Sequence, residues 1–99
     1  MTMKKIRLSE EDLCLAINGL YRARDDYLAE NREAVEDLIL GLLDVCEGMK
    51  PGRTKRVPLQ PGELRMIRSC LNDWRNAFLS AGEAYKAEAV AETLTKLAI

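Results

Sequence analysis

Leu64, Ile67, Leu71, Trp74 and Phe78 follow one another at spacings of three, four, three and four residues. That rhythm places all five side chains on one side of a helix and on no single face of a strand. Three other segments carry it: Leu13, Ala16, Ile17 and Leu20, continuing to Tyr27 and Leu28; then Val35, Leu38, Ile39, Leu42, Leu43 and Cys46; then Ala87, Val90, Leu94 and Leu97. The pattern predicts helices over approximately 10–29, 32–48, 61–80 and 83–98, with no strand-like alternation competing. A chain of 99 residues with 47% hydrophobic and 31% charged residues fits a single domain with one core.

The helix ends are also written in the sequence. LSEEDL offers Ser9 as an N-cap, an acidic first turn from Glu10 to Asp12, and Leu8 and Leu13 at the spacing of a hydrophobic staple. LQPGEL repeats the arrangement with Gln60 as a poorer cap, Pro61 at the first helical position, and Leu59 with Leu64 as the staple. Asn31 marks a start for the second helix, and Gly48 followed by Pro51 marks its stop. Ser80 and Glu83 have capping-box spacing beside Gly82, which puts a break there.

These signals predict an all-α fold, a four-helix bundle-like domain of two αα-hairpins joined by a long basic crossover loop. Shifting the chain against itself by 51 residues aligns LSEEDL with LQPGEL, Leu20 with Leu71, Arg24 with Arg75 and Leu43 with Leu94. Two convergent hairpins would give the same architecture as a duplication.

The crossover MKPGRTKRVPLQPGEL concentrates charge. Lys50, Arg53, Lys55 and Arg56 lie in it, and an alternating helix order brings Lys4, Lys5 and Arg7 to the same pole. These seven cations are the candidate partner-binding residues, suited to phosphates or an acidic protein surface. Glu10, Glu11, Asp12, Asp44, Glu47 and Glu63 offset that field, and no aromatic residues interleave the cations as single-strand stacking requires. The opposite pole collects Asp25, Asp26, Glu30, Glu33, Glu36 and Asp37 as a solvated acidic tip without calcium-loop spacing. Arg24 falls inside an apolar arc and Arg68 and Arg75 on the edge of another, so each must snorkel to water, pair with a carboxylate (Glu36, Glu88 or the outward-turned Asp37 lie at the right height), or meet a partner's carboxylate or phosphate.

Apolar residues off the stripes point to further buried surface. Leu15, Leu40, Met66 and Cys70, with Ala77, are the candidate oligomer interface. Catalysis is not expected: there is no histidine, no glycine-rich phosphate loop, no nucleophile with an identifiable base and no metal-ligand spacing. Neither a cofactor nor a metal is implied. Cys14, Cys46 and Cys70 are odd in number and each sits on or near an apolar stripe, as buried thiols in a reducing compartment would. No run approaches the roughly 20 apolar residues that span a bilayer, and no leader follows the basic start, so a cytoplasmic protein without membrane contact is expected. The reading is a small non-enzymatic interaction or regulatory protein that recognises itself, as a homodimer or higher, and a second protein. The alternative is a nucleic-acid-associated regulator using residues 50–56 with the basic N-terminus.

Overall fold

The computed structural model describes residues 3–26 and 29–98, and the chain runs through them as β1 (Lys4–Ser9), α1 (Glu10–Ala23), α2 (Ala29–Glu47), β2 (Thr54–Leu59), α3 (Pro61–Ser80) and α4 (Ala84–Leu97). A single 3₁₀ turn over Arg24–Asp26 follows α1. Helix accounts for 74% of the structure. Among the described residues no helix is long and apolar enough to cross a membrane.

The two strands correct the helix-and-loop expectation. β1 and β2 pair antiparallel, with Ile6 opposite Val57, Arg7 opposite Arg56 and Ser9 opposite Thr54. The period-two signal is short but present: Ile6 and Leu8 alternate with Lys5 and Arg7, and Val57 and Leu59 alternate with Arg56 and Pro58. Ile6, Leu8, Val57 and Leu59 are all buried. A two-stranded ribbon is marginal alone. Here one face is welded to the helices, each of the four side chains contributing about 1.5–3 kcal/mol. Pro58 is tolerated because each strand has an unpaired edge.

The expected crossover loop therefore shrinks to residues 48–53. Lys50, Pro51, Gly52 and Arg53 form a turn closed by the Arg53 N–H on the Lys50 carbonyl at 3.2 Å. Gly52 takes φ +78° at its third position, as a type II turn requires.

Both strands run straight into a helix. The Ser9 hydroxyl accepts from the Asp12 N–H at 3.1 Å, while the Asp12 carboxylate accepts from the Ser9 N–H at 2.9 Å. Across the molecule the Glu63 carboxylate accepts from the Gln60 N–H at 2.8 Å. The caps Ser9 and Gln60 are 51 residues apart, and so are the ribbon's central partners Ile6 and Val57. The two strand–helix–helix halves thus meet about a local pseudo-twofold axis through the Ile6–Val57 pair.

Every other stripe residue among those described is buried in or packed against one core, including Trp74 and Phe78, whose ring centroids lie 5.1 Å apart. α1 packs on α2 and α3, and α3 on α4. Gly19, buried where α1 passes α3, leaves room for Leu71.

Some expected boundaries move. The first helix stops at Ala23, where the Arg24–Asp26 turn, rich in poor helix formers, breaks it; the second begins at Ala29, so Asn31 lies inside it. Tyr27 and Leu28, expected on the first stripe, lie outside the described residues. Ser80 is the last residue of α3 rather than a cap. The break is made by Gly82 at φ +76°, with the Glu83 N–H on the Phe78 carbonyl at 2.8 Å and the Gly82 N–H on the Leu79 carbonyl at 3.1 Å.

Candidate nucleic-acid interface

Partners directly opposite in an antiparallel ribbon share a face. With Ile6 and Val57 turned to the core, the neighbouring pairs Lys5–Pro58 and Arg7–Arg56 turn outward, as do Ser9 and Thr54. Lys5, Arg7 and Arg56 are exposed on that face. Lys4 and Lys55 are exposed on the two strands beside them, and Lys50 and Arg53 are exposed in the turn entering β2. Pairing of β1 with β2 thus gathers all seven predicted cations on one ribbon and its entry turn.

No carboxylate lies within either strand. Glu10 and Glu11 stand at the start of α1, lining with Arg53 and Thr54 a shallow hollow at one end of the ribbon. Among the described residues, Lys5, Arg7, Arg53, Lys55 and Arg56 form no ion pair. The Arg7 guanidinium donates to the Thr54 hydroxyl at 3.1 Å, which stretches it along the outward face. Directly opposed like charges on a ribbon cost a few tenths of a kcal/mol or more. Arg7 facing Arg56 is therefore a local expense that packing alone does not explain.

At the acidic pole, Arg32 neutralises part of the charge: it donates to Asp25 at 3.2 Å and lies 3.7 Å from Glu36. The side chains of Asp26 and Glu30 lie outside the described residues. Glu33 and Asp37 are exposed. None of the three stripe arginines pairs with Glu36, Asp37 or Glu88 among the described residues. Arg24 lies 3.9 Å from Asp25 and 5.5 Å from the Tyr21 ring centre, and Arg68 comes within 3.5 Å of the Leu97 carbonyl. Arg75 has no hydrogen-bond or ion-pair partner among the described residues, and its Nε is buried, as is that of Arg24. Helix height puts Glu36 near Arg24, but Arg32, four residues before Glu36 on the same helix, takes that carboxylate instead.

The four candidate interface residues differ in exposure. Cys70 is buried, Leu15 and Met66 pack against the core, and Leu40 alone is widely exposed, at 60%. The cysteines also part company. Cys14 faces solvent, contrary to the expectation that all three are buried, because it lies one residue past Leu13 and off the stripe. Among the described residues no three His, Cys, Asp or Glu side chains come together as metal donors.

One polar site escaped the sequence reading. Asp12 is 4% exposed, and beyond its capping role its carboxylate accepts from the Thr93 hydroxyl and the Lys96 ammonium of α4, each at 2.6 Å. Burial opposes its charge, but Lys96, the Ser9 N–H and the Thr93 and Ser9 hydroxyls together hold the carboxyl below its usual range. Thr93 and Lys96 flank the Leu94 and Leu97 stripe positions, and nothing in their spacing announces a partner so distant in sequence.

No protein-family model, curated protein or solved structure matches the chain.

Proposed function

We propose that this chain is a non-enzymatic, cytoplasmic regulator that binds duplex DNA through the outward face of its ribbon. In this reading the four helices serve as a bundle-like scaffold of two αα-hairpins. The observation that carries it is the joint display of Lys5, Arg7 and Arg56 on a two-stranded ribbon free of carboxylates.

A two-stranded ribbon fits the major groove of B-DNA, about 12 Å wide, and arginine or lysine there meets the O6 and N7 acceptors of guanine. Lys50, Arg53, Lys4 and Lys55 then lie toward the phosphates. The deep, narrow major groove of duplex RNA does not admit a ribbon. Single strands call for stacking aromatics, and none lies on either strand. A net charge of −1 gives no global attraction, so binding rests on this face.

The test is fluorescence anisotropy with labelled duplex DNA, single-stranded DNA and duplex RNA. Duplex DNA should bind at least about tenfold tighter than the others, with log affinity against log salt falling at a slope of about −4 to −5, as four to six phosphate contacts require. No binding to duplex DNA at about 50 mM salt, or equal binding by an R7A/R56A variant, would refute the reading.

A further inference from the structure

Between α3 and α4 lies a shallow, open groove of about 540 Å³. Arg68 and Arg75 face it from α3, with Ala91 and Leu94 on its other wall, and no carboxylate lines it. Seven residues apart on a helix, the two arginines are separated by about 10 Å along its axis and stand almost in line. Arg75 is half-buried, its Nε shielded and without a partner among the described residues. A half-buried cation with no counter-ion is a costly arrangement unless something outside supplies one.

The corresponding place in the first half is narrower, a hollow of about 260 Å³. Arg24 stands 51 residues before Arg75 and likewise lines a groove, but Leu40 and Glu36 crowd that one. At the position 51 residues after Leu40 the second half has Ala91, and the groove there is open. The second half thus lacks that leucine and that carboxylate, with Ala91 and Ala87 at the corresponding positions.

The exposed face of α2 offers a leucine between two carboxylates. Asp37, Leu40 and Asp44 are all exposed, and Asp37 and Asp44 are also seven residues apart. Neither aspartate has an ion pair among the described residues. We propose that a second copy of this chain lays its α2 into the α3–α4 groove, with Asp37 and Asp44 on Arg68 and Arg75 and Leu40 over Ala91. In the proposed pair each copy lends its α2 to the other's groove, so the contact is made twice. The groove is shallow and the ion pairs lie near water, so the association belongs to the weak, salt-sensitive class. It uses no ribbon residue and is independent of DNA binding.

Sedimentation velocity on the full chain at high micromolar concentration tests this. The native chain should run at twice its 11.2 kDa mass in about 50 mM salt and weaken at least about tenfold toward 0.5 M, where the Debye length has shrunk severalfold. R68E/R75E and D37R/D44R should each be monomeric, and their equimolar mixture should recover the paired mass, because each then presents the charge that the other lacks. D37R/D44R alters only exposed positions, so it decides the matter even where R68E/R75E folds poorly. A native chain that stays at 11.2 kDa, or an association that neither swap disturbs, would overturn the proposal.

Discussion

The Asp12 carboxylate and the Lys96 ammonium, 84 residues apart in sequence, meet at 2.6 Å where the start of α1 touches α4. This contact fastens one end of the ribbon–helix junction to the last helix. Its counterpart in the other half, Glu63, holds the Gln60 N–H and no residue of another element among the hydrogen bonds described. The pseudo-symmetry is therefore broken at its polar joints.

Replacement of Asp12 by asparagine should cost about 1.5–3 kcal/mol at neutral pH, because a charged acceptor of several buried bonds becomes neutral. Asp12 titrates lower in the folded protein than its ordinary 3.8. Its contribution is thus complete above that value and is lost as pH falls through the lower folded one. Thermal melts of D12N and the native chain should differ clearly at pH 7, and the gap should shrink only as pH falls below 3.8 and through the lower folded value. A gap that stays equal over that fall would show that proton linkage is not the cause. Lys96 is half exposed and its loss leaves the other donors in place, so Lys96→Met should cost only about 1 kcal/mol.

Arg56→Thr should move stability and DNA binding in opposite directions. It removes a cation set directly against Arg7 and puts a β-former in its place, so the melting temperature should hold or rise by a degree or two, equivalent to a few tenths of a kcal/mol. Duplex affinity should fall by about 1–3 kcal/mol in the sequences that it reads best. Lys55→Thr, at the ribbon's end, should instead weaken all duplexes alike and flatten the salt slope by about one unit. Parallel melting and anisotropy on the two variants separate a reading face from a merely basic one.

The helices were legible because each carries a long apolar stripe; Ser9, Pro61 and Gly48 stand at or beside the ends they announced, whereas Asn31 and Ser80 do not mark the ends read from them. The strands were not, since each offers only two alternating core residues, and Leu8 and Leu59 already had a role as staples. Local grammar could not choose between these uses. What chose was a partner some fifty residues away: Ile6 and Val57 each bury only because the other strand completes the ribbon. The same limit hid the Asp12 cluster, whose members lie on opposite ends of the chain. The gathering of the seven cations was legible in outline, whereas their division between an outward face and an edge depended on register. Leu15, Met66 and Cys70 misled because a helix touching two neighbours needs a wider apolar arc than one stripe.

Two glycines should respond oppositely to alanine. Gly41 lies inside α2 with nothing within 4 Å of a Cβ placed there, so Gly41→Ala should stabilise by up to about 1 kcal/mol through helix propensity. Gly82 ends α3 at φ +76°, where any Cβ is strained, and Gly82→Ala should cost about 1–2 kcal/mol. Urea denaturation of both variants at one pH checks the signs, which ought to be opposite with little change in m-value.

The three cysteines should label in a fixed order, and the order reports on packing. None is in a disulfide. Cys14 is exposed and should react with a maleimide within the mixing time of an ordinary assay. Cys46 is only partly accessible, and burial first, then its neighbour Cys14, then Glu10 and Glu47 push its thiol upward. Less thiolate at neutral pH means slower attack, so Cys46 should lag behind Cys14. Cys70 is 2% exposed in the core and should stay unlabelled until the fold opens, so its rate follows the unfolding free energy. Mass spectrometry of peptides after timed quenching resolves the three. Early labelling of Cys70 in the native protein would mean that α3 is not seated in the core as described.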